Sequence, residues 1–224
     1  MLAERRRAVA AARRDCRLFR QPYYQRIIPV PRRQIQRYQR RETIIEDAII
    51  AHPGRLGFPD ALAIRNCRVA PQAGLVDVML LPLGGRVKLV LVEAKVAIAA
   101  DAASKVIGQL LMYYAGALML GTRGLRLMRQ FAIDHRDDAL STKWISPKAL
   151  SGGLSPPKSA WGVLNSGRAL QPSEVRLFVA IDGKSHQALV PTLTILRAHH
   201  RLEIGLVEVQ NGECELVWPP VATR

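Results

Sequence analysis

The stretch GLVDVMLLPLGGRVKLVLVEAK, residues 74 to 95, decides the fold, because it reads as two apolar strands joined by a glycine turn. Its carboxylates and its last lysine lie within the apolar runs: Asp77 is inside the first strand, and Glu93 and Lys95 are near the end of the second. An unpaired ion that is removed from water is costly. These side chains must therefore compensate one another or bind a ligand.

The alternation of side chains along a strand places Glu93 and Lys95 on one face, while Ala94 points away. A turn centred on the two glycines pairs residues whose numbers sum to about 169. Asp77 then lies opposite about residue 92, within one step of Glu93. We expect a small bulge or strand bend to bring the two carboxylates together.

Two converging carboxylates repel each other unless a cation joins them, and hard oxygen ligands favour Mg²⁺. A lysine beside them can hold a phosphate or orient a water molecule. The pattern therefore indicates metal-assisted hydrolysis of a phosphodiester. The alternative is an ordinary ion pair, Glu93 with Lys95 or Asp77 with Lys88, which contributes about 0 to 1 kcal/mol at a surface.

The rest of the chain predicts an α/β (α+β) fold with one mixed central sheet flanked by helices. We predict helices over residues 2–20, 32–51, 101–120 and 186–200, and strands over residues 61–70, 74–82, 86–95, 126–134, 174–182, 203–210 and 214–218. Residues 134–173 are rich in Pro, Gly and Ser and show no sustained period, which indicates a long insertion.

The charge of the chain is concentrated at its start. The formal net charge is +15, and thirteen arginines against Glu4 and Asp15 give the first 41 residues +11 of it. We therefore divide the chain into a basic, helical N-terminal arm, residues 1–31, and a domain over residues 32–224. The arm indicates a polyanionic partner such as nucleic acid. A solubilising tail without a dedicated ligand is the alternative.

Several residues outside the acidic group are candidate nucleic-acid contacts, because arginine and aromatic rings can both stack on bases. They are Arg32, Arg33, Arg37, Arg40, Arg41, Tyr113, Lys143, Trp144, Lys148, Lys158 and Trp161. The basic and aromatic residues of the insertion can grip a strand or wedge a distorted duplex. Alternatively, its tryptophans only anchor a covering loop, and Tyr113 only packs in the core.

Composition excludes other classes of protein. No apolar run approaches the roughly 20 residues that cross a bilayer, and the Arg-rich start is unlike a secretory signal, so we expect a cytoplasmic protein without a membrane partner. The three cysteines, Cys16, Cys67 and Cys214, are far apart and form no CxxC pair. They predict neither a disulfide framework nor a zinc site.

The motifs resemble those of the PD-(D/E)XK nuclease superfamily, and within it they are most similar to the nuclease domains of NucS-type mismatch endonucleases. The matching segments are a helix from Glu42 with Pro53 just beyond it, Gly74 to Asp77, Val92 to Lys95, and Gln109 with Tyr113. The resemblance covers about residues 41 to 120. It implies a restriction endonuclease-like core and a Mg²⁺- or Mn²⁺-dependent DNA nuclease, an endonuclease of repair, restriction or defence.

The same resemblance implies roles for individual residues. Asp77 and Glu93 would be metal ligands, joined by a backbone carbonyl at Ala94 or Val92, and Lys95 would orient the attacking water. Gln109 would steady the site or touch the phosphate. Position relative to Pro53 favours Glu42 as the helical glutamate, with Glu46 as the second choice.

Two other functions remain open at this stage. One is a nucleic-acid-binding module on the same fold without turnover, and the other is a ribonuclease. A nuclease with one site per chain would act as a homodimer if it cut both strands together.

Overall fold

A computed structural model describes residues 32–69, 74–82, 84–96, 102–134, 160–183 and 189–219. The chain divides into two units, residues 1–36 and 37–224, and the first is described only from residue 32 onward. The predicted basic arm therefore lies outside the described residues. No helix in the described part of the chain is both long and apolar enough to span a bilayer.

The described part of the chain contains five helices and the six strands of one sheet. The helices are α1 (Arg32–Ala51), α2 (Ala102–Met119), α3 (Thr122–Asp134), α4 (Ala160–Ser166) and α5 (Leu189–His200). The strands are β1 (Ala61–Arg68), β2 (Leu75–Pro82), β3 (Leu89–Val96), β4 (Val175–Asp182), β5 (Ile204–Gln210) and β6 (Glu213–Trp218). Short 3₁₀ turns, Pro53–Leu56 and Pro172–Glu174, precede β1 and β4.

The six strands form one mixed sheet in the order β1-β2-β3-β4-β5-β6. The pairs β1–β2, β2–β3 and β5–β6 are antiparallel, whereas β3, β4 and β5 run parallel to one another. Parallel neighbours require a crossover, and the chain between β3 and β4 includes α2, α3 and α4. The predicted mixed α/β sheet flanked by helices is confirmed.

Helices cover both faces of the sheet, which explains why its central strands are apolar on both sides. On one face, Ile45 and Ile49 of α1 pack with alternate residues of the central strands, such as Val92. On the other face, Leu110 of α2 and Leu125 of α3 belong to a second core.

The prediction of a strand over residues 126–134 is wrong, because these residues belong to α3. Leu125, Met128 and Ala132 are buried at steps of three and four residues, which is the period of a helix. The insertion is also more regular than predicted, since α4 and a 3₁₀ turn lie within its described part. Residues 135–159 of the insertion lie outside the described residues.

Candidate functional site

The charged residues of the opening stretch lie where the β2–β3 hairpin opens. The paired positions of β2 and β3 run from Leu80 opposite Val90 to Val78 opposite Val92. Their numbers sum to 170 rather than 169. Continued by one step, this register sets Asp77 opposite Glu93, at the point where the pairing ends.

The alternation of side chains along β2 is irregular at Asp77. The ladder between β1 and β2 omits Asn66 and Asp77, and Asn66 has a positive φ of 51°. Val76 and Met79 face the same core although they are three residues apart, so the alternation of β2 shifts across Asp77. Asp77 therefore does not follow the regular alternation of side chains between the two faces of the sheet.

A hydrogen bond fixes the Asp77 carboxylate in this bend. The amide nitrogen of Ala94 donates to Oδ2 of Asp77 at 2.7 Å. Ala94 lies between Glu93 and Lys95, so one bond aligns the aspartate of β2 with the glutamate and lysine of β3.

The Lys95 ammonium lies among three carboxylates. Its Nζ is 2.9 Å from Oε1 of Glu93, 3.6 Å from Oε1 of Glu42 and 3.8 Å from Oδ2 of Asp77. Burial opposes protonation of Lys95, but Glu93, Asp77 and Glu42 outweigh it and raise the pKa of the ammonium above its ordinary value. We call Glu42, Asp77, Glu93 and Lys95 the acidic cluster.

Glu93 is the most buried member of the cluster, with 1% of its side chain exposed. Burial, and then the Asp77 carboxylate, raise the pKa of Glu93 to about 7 although Lys95 opposes the shift. Burial also raises the pKa of Asp77, while Lys95 and the Ala94 amide favour its ionised form. Of the two carboxyls, Glu93 therefore has the stronger tendency to hold a proton.

The Asp77 carboxylate disfavours ionisation of Glu93 beside it. Oε2 of Glu93 is buried and has no hydrogen-bond partner among the described residues. A cation would satisfy that oxygen, and an all-oxygen donor set suits Mg²⁺.

Helix α1 presents two glutamates to this end of the sheet, and they have different partners. Glu42 approaches Lys95, whereas Oε2 of Glu46 accepts a hydrogen bond of 2.9 Å from Arg65 of β1. Arg65 also pairs with Asp47. Burial, and then the Asp77 carboxylate, raise the pKa of Glu46 to about 7. Glu46 therefore interacts electrostatically with the acidic cluster, although its hydrogen-bond partner is Arg65.

Helix α2 closes the other side of the cluster. The Tyr113 hydroxyl donates a hydrogen bond of 2.8 Å to the carbonyl oxygen of Leu75 in β2. Burial, and then Glu93 and Asp77, raise the pKa of Tyr113, while a hydrogen bond from Gln109 opposes the rise. Oε1 of Gln109 is buried and has no hydrogen-bond partner among the described residues. The structure thus brings Gln109 and Tyr113 to the acidic cluster.

The candidate nucleic-acid contacts are distributed differently. Tyr113 is only 2% exposed, so its ring packs in the core and cannot stack on a base, as the alternative interpretation held. Arg40 is exposed, and Arg41 pairs with Asp182 at the end of β4. Residues outside the described side chains are Arg32, Arg33, Arg37, Lys143, Trp144, Lys148, Lys158 and Trp161.

Sequence reasoning missed Arg65 and Asp182, which both lie beside the cluster. Arg65 lies in a predicted strand, but its hydrogen bond to Glu46 of α1 joins residues 19 positions apart. No local sequence pattern predicts such a contact. Asp182 ends an apolar strand, and its position across from Val96 depends on the parallel pairing of β4 with β3. An acidic residue at the end of a buried strand was the only available signal.

Among the described residues, no group of three or more His, Cys, Asp or Glu side chains is arranged to hold a metal ion. The Lys95 ammonium accounts for this, because it already lies between the carboxylates. Comparisons with protein-family models, with curated proteins and with solved structures found no match.

Proposed function

We propose that this protein is a Mg²⁺- or Mn²⁺-dependent nuclease with a restriction endonuclease-like core, acting on DNA in the cytoplasm as an endonuclease of repair, restriction or defence. One observation carries the proposal: the hydrogen bond from Ala94 to Asp77 aligns a strand aspartate with a glutamate and a lysine two residues apart. A strand that only needed to be stable would exclude these charges.

Carboxylate and carbonyl oxygens are the ligands that a hard divalent cation prefers. Asp77 and Glu93 would hold it through carboxylate oxygens, with the backbone carbonyl of Ala94 as a further ligand. When bound, such an ion polarises a phosphoryl group and lowers the pKa of a coordinated water.

The side chains of the chain itself would do the remaining work. Lys95 donates hydrogen bonds, so it would orient the attacking water and stabilise the charge that develops on the phosphoryl oxygens. Glu42 would hold the Lys95 ammonium in position from α1. Gln109 would steady Tyr113 and the wall of the site.

Cleavage of a panel of labelled substrates tests the proposal. Single-stranded, duplex, mismatched and branched DNA, together with RNA, would be incubated with Mg²⁺, Mn²⁺ or EDTA. We expect metal-dependent cutting of at least one DNA that Asp77→Asn abolishes and Glu213→Gln retains. Glu213 is a matched control because it is an exposed acid on β6. Metal-dependent cutting that survives Asp77→Asn would overturn the site assignment, and cutting of RNA alone would make the protein a ribonuclease.

A second candidate function is nucleic-acid binding without turnover. It is favoured by the position of Lys95, whose ammonium already compensates the carboxylates that a metal would need. Electron paramagnetic resonance of Mn²⁺ separates the two functions. The nuclease predicts bound Mn²⁺ that Asp77→Asn releases, whereas the binding module predicts the same free Mn²⁺ signal with and without protein.

A further inference from the structure

A polar depression of about 430 Å³ lies at the ends of β4 and β5. Arg41, Asp182 and Gly183 line one part of it, and Val209, Gln210 and Asn211 line the other. Arg41 directly precedes Glu42 of the acidic cluster. Asp182 lies across from Val96, the residue after Lys95. The depression therefore adjoins the acidic cluster on the β4 side.

The cations in and beside the acidic cluster are engaged with carboxylates. Lys95 is within reach of three of them, and Arg65 pairs with Glu46 and Asp47. A nucleic-acid backbone brings a negative charge with every phosphate, so the phosphates beside a scissile bond need positive groups outside the cluster.

Arg41 has the chemistry and the position for this contact. It forms an ion pair with Asp182, yet 43% of its side chain is exposed. One carboxylate does not exhaust the five N–H donors of a guanidinium, and the planar group suits a phosphate. Asp182 is mostly buried, so it can hold the guanidinium in one orientation from beneath.

We propose that Arg41 binds a backbone phosphate next to the scissile one, that Asp182 is its positioning residue, and that the depression receives the adjoining nucleotide. This inference rests on the proposed function and extends the site from the acidic cluster along the nucleic-acid strand. Asp182 also contributes to the raised pKa of Glu42, which agrees with its closeness to the cluster.

Substrates that lack one charge at a time test the contact. A set of oligonucleotides would each carry one neutral methylphosphonate, and binding would be measured by fluorescence anisotropy in EDTA, where nothing is cut. We expect one position to weaken binding by the natural protein about tenfold, as for loss of a charged hydrogen bond. Arg41→Gln should weaken binding of natural DNA by a similar factor and become insensitive to that position.

Arg126→Gln is the matched control, because it removes the same charge from an exposed residue of α3. It should keep the sensitivity of the natural protein at every position. For Asp182, we expect Asp182→Asn to raise KM with little change in kcat, and Asp182→Glu to recover part of the loss. The thermal midpoints should stay close, since a partly exposed ion pair contributes little to stability.

The outcomes separate this inference from the proposed function. If Asp77→Asn abolishes cutting but Arg41→Gln behaves like Arg126→Gln at every methylphosphonate, only the phosphate contact is refuted. If the natural protein binds none of the oligonucleotides, both proposals are refuted.

Discussion

The amide nitrogen of Ala94 lies 2.7 Å from Oδ2 of Asp77, so the carboxylate of β2 is held by the residue between Glu93 and Lys95. A backbone donor keeps its place when side chains rearrange. It also favours the ionised form of Asp77, whereas burial and the Asp77 carboxylate raise the pKa of Glu93. This difference between Asp77 and Glu93 determines how the acidic cluster responds to pH.

Stability in the absence of metal should fall as the pH rises from about 4.5 to 7. Glu93 and Glu46 each have a pKa of about 7 in the folded chain against an ordinary value of 4.5. The folded state therefore binds more protons than the unfolded state in this window, and its extra stability is present below it and lost above it. Urea unfolding in EDTA at pH 5 and pH 8 measures the difference.

Glu93→Gln should remove much of that loss, because glutamine is neutral at both pH values. We expect the variant to exceed the natural protein by on the order of 2 kcal/mol at pH 8 and by much less at pH 5. Glu213→Gln, the exposed control, should leave the pH profile unchanged. A Glu93→Gln profile identical to that of the natural protein would contradict a raised pKa at this carboxyl.

Binding of Mg²⁺ should release protons near pH 6.5. Glu93 is largely protonated there, and a carboxyl must ionise to act as a ligand. Calorimetric titrations in two buffers with different ionisation enthalpies should give different apparent binding enthalpies, and the difference should shrink toward pH 8. Equal enthalpies in both buffers at pH 6.5 would argue against a metal site that includes Glu93.

The two glutamates of α1 should differ in their effects. Glu42 approaches Lys95, so Glu42→Gln is expected to lower kcat/KM by at least tenfold with little effect on stability. Glu46 accepts a hydrogen bond from Arg65, so Glu46→Gln should leave kcat/KM within about threefold of the natural value while it alters stability. Steady-state kinetics and urea unfolding of both variants test this prediction. A larger loss of kcat/KM for Glu46→Gln than for Glu42→Gln would make Glu46 the helical glutamate of the site.

Tyr113→Phe should lower both stability and activity moderately. The change removes the hydrogen bond to Leu75 and keeps the buried ring, so we expect a loss of about 1 kcal/mol. Activity should fall because the same hydroxyl borders Glu93. Tyr114→Phe on the next position of α2 is the control, and equal effects from the two substitutions would remove Tyr113 from the site.

The sequence predicted those features that depend on local periodicity. The bounds of α1 match because Ile45, Ala48 and Ile49 repeat at helical steps before Pro53. Strand β2 matches within one residue, whereas β3 begins at Leu89 rather than at the predicted residue 86. The sequence placed Asp77 opposite residue 92, whereas the observed register places it opposite Glu93. The register depends on the conformation of the turn, which the sequence does not specify. Helix α3 was misread because its buried residues are few and its apolar run is short.

The remaining features of the site depend on contacts between distant segments. The pairs Arg65 with Glu46 and Arg41 with Asp182 form only after α1 has packed on the sheet and β4 has paired with β3. The shift in β2 is accompanied by a positive φ at Asn66 of β1. Asparagine tolerates this conformation, but its presence in the sequence does not predict it. Contacts between distant segments produce no periodic pattern in the sequence.

The rate of phosphodiester cleavage by the Glu93→Gln protein decides whether Glu93 serves a metal-dependent nuclease site. Single-turnover cleavage of the most readily cut DNA would be measured in Mg²⁺ for the natural protein, Glu93→Gln and Glu213→Gln, with binding measured in parallel. We predict a loss of about a thousandfold or more for Glu93→Gln alone, with binding within a few fold. Cleavage by Glu93→Gln at the natural rate would contradict it.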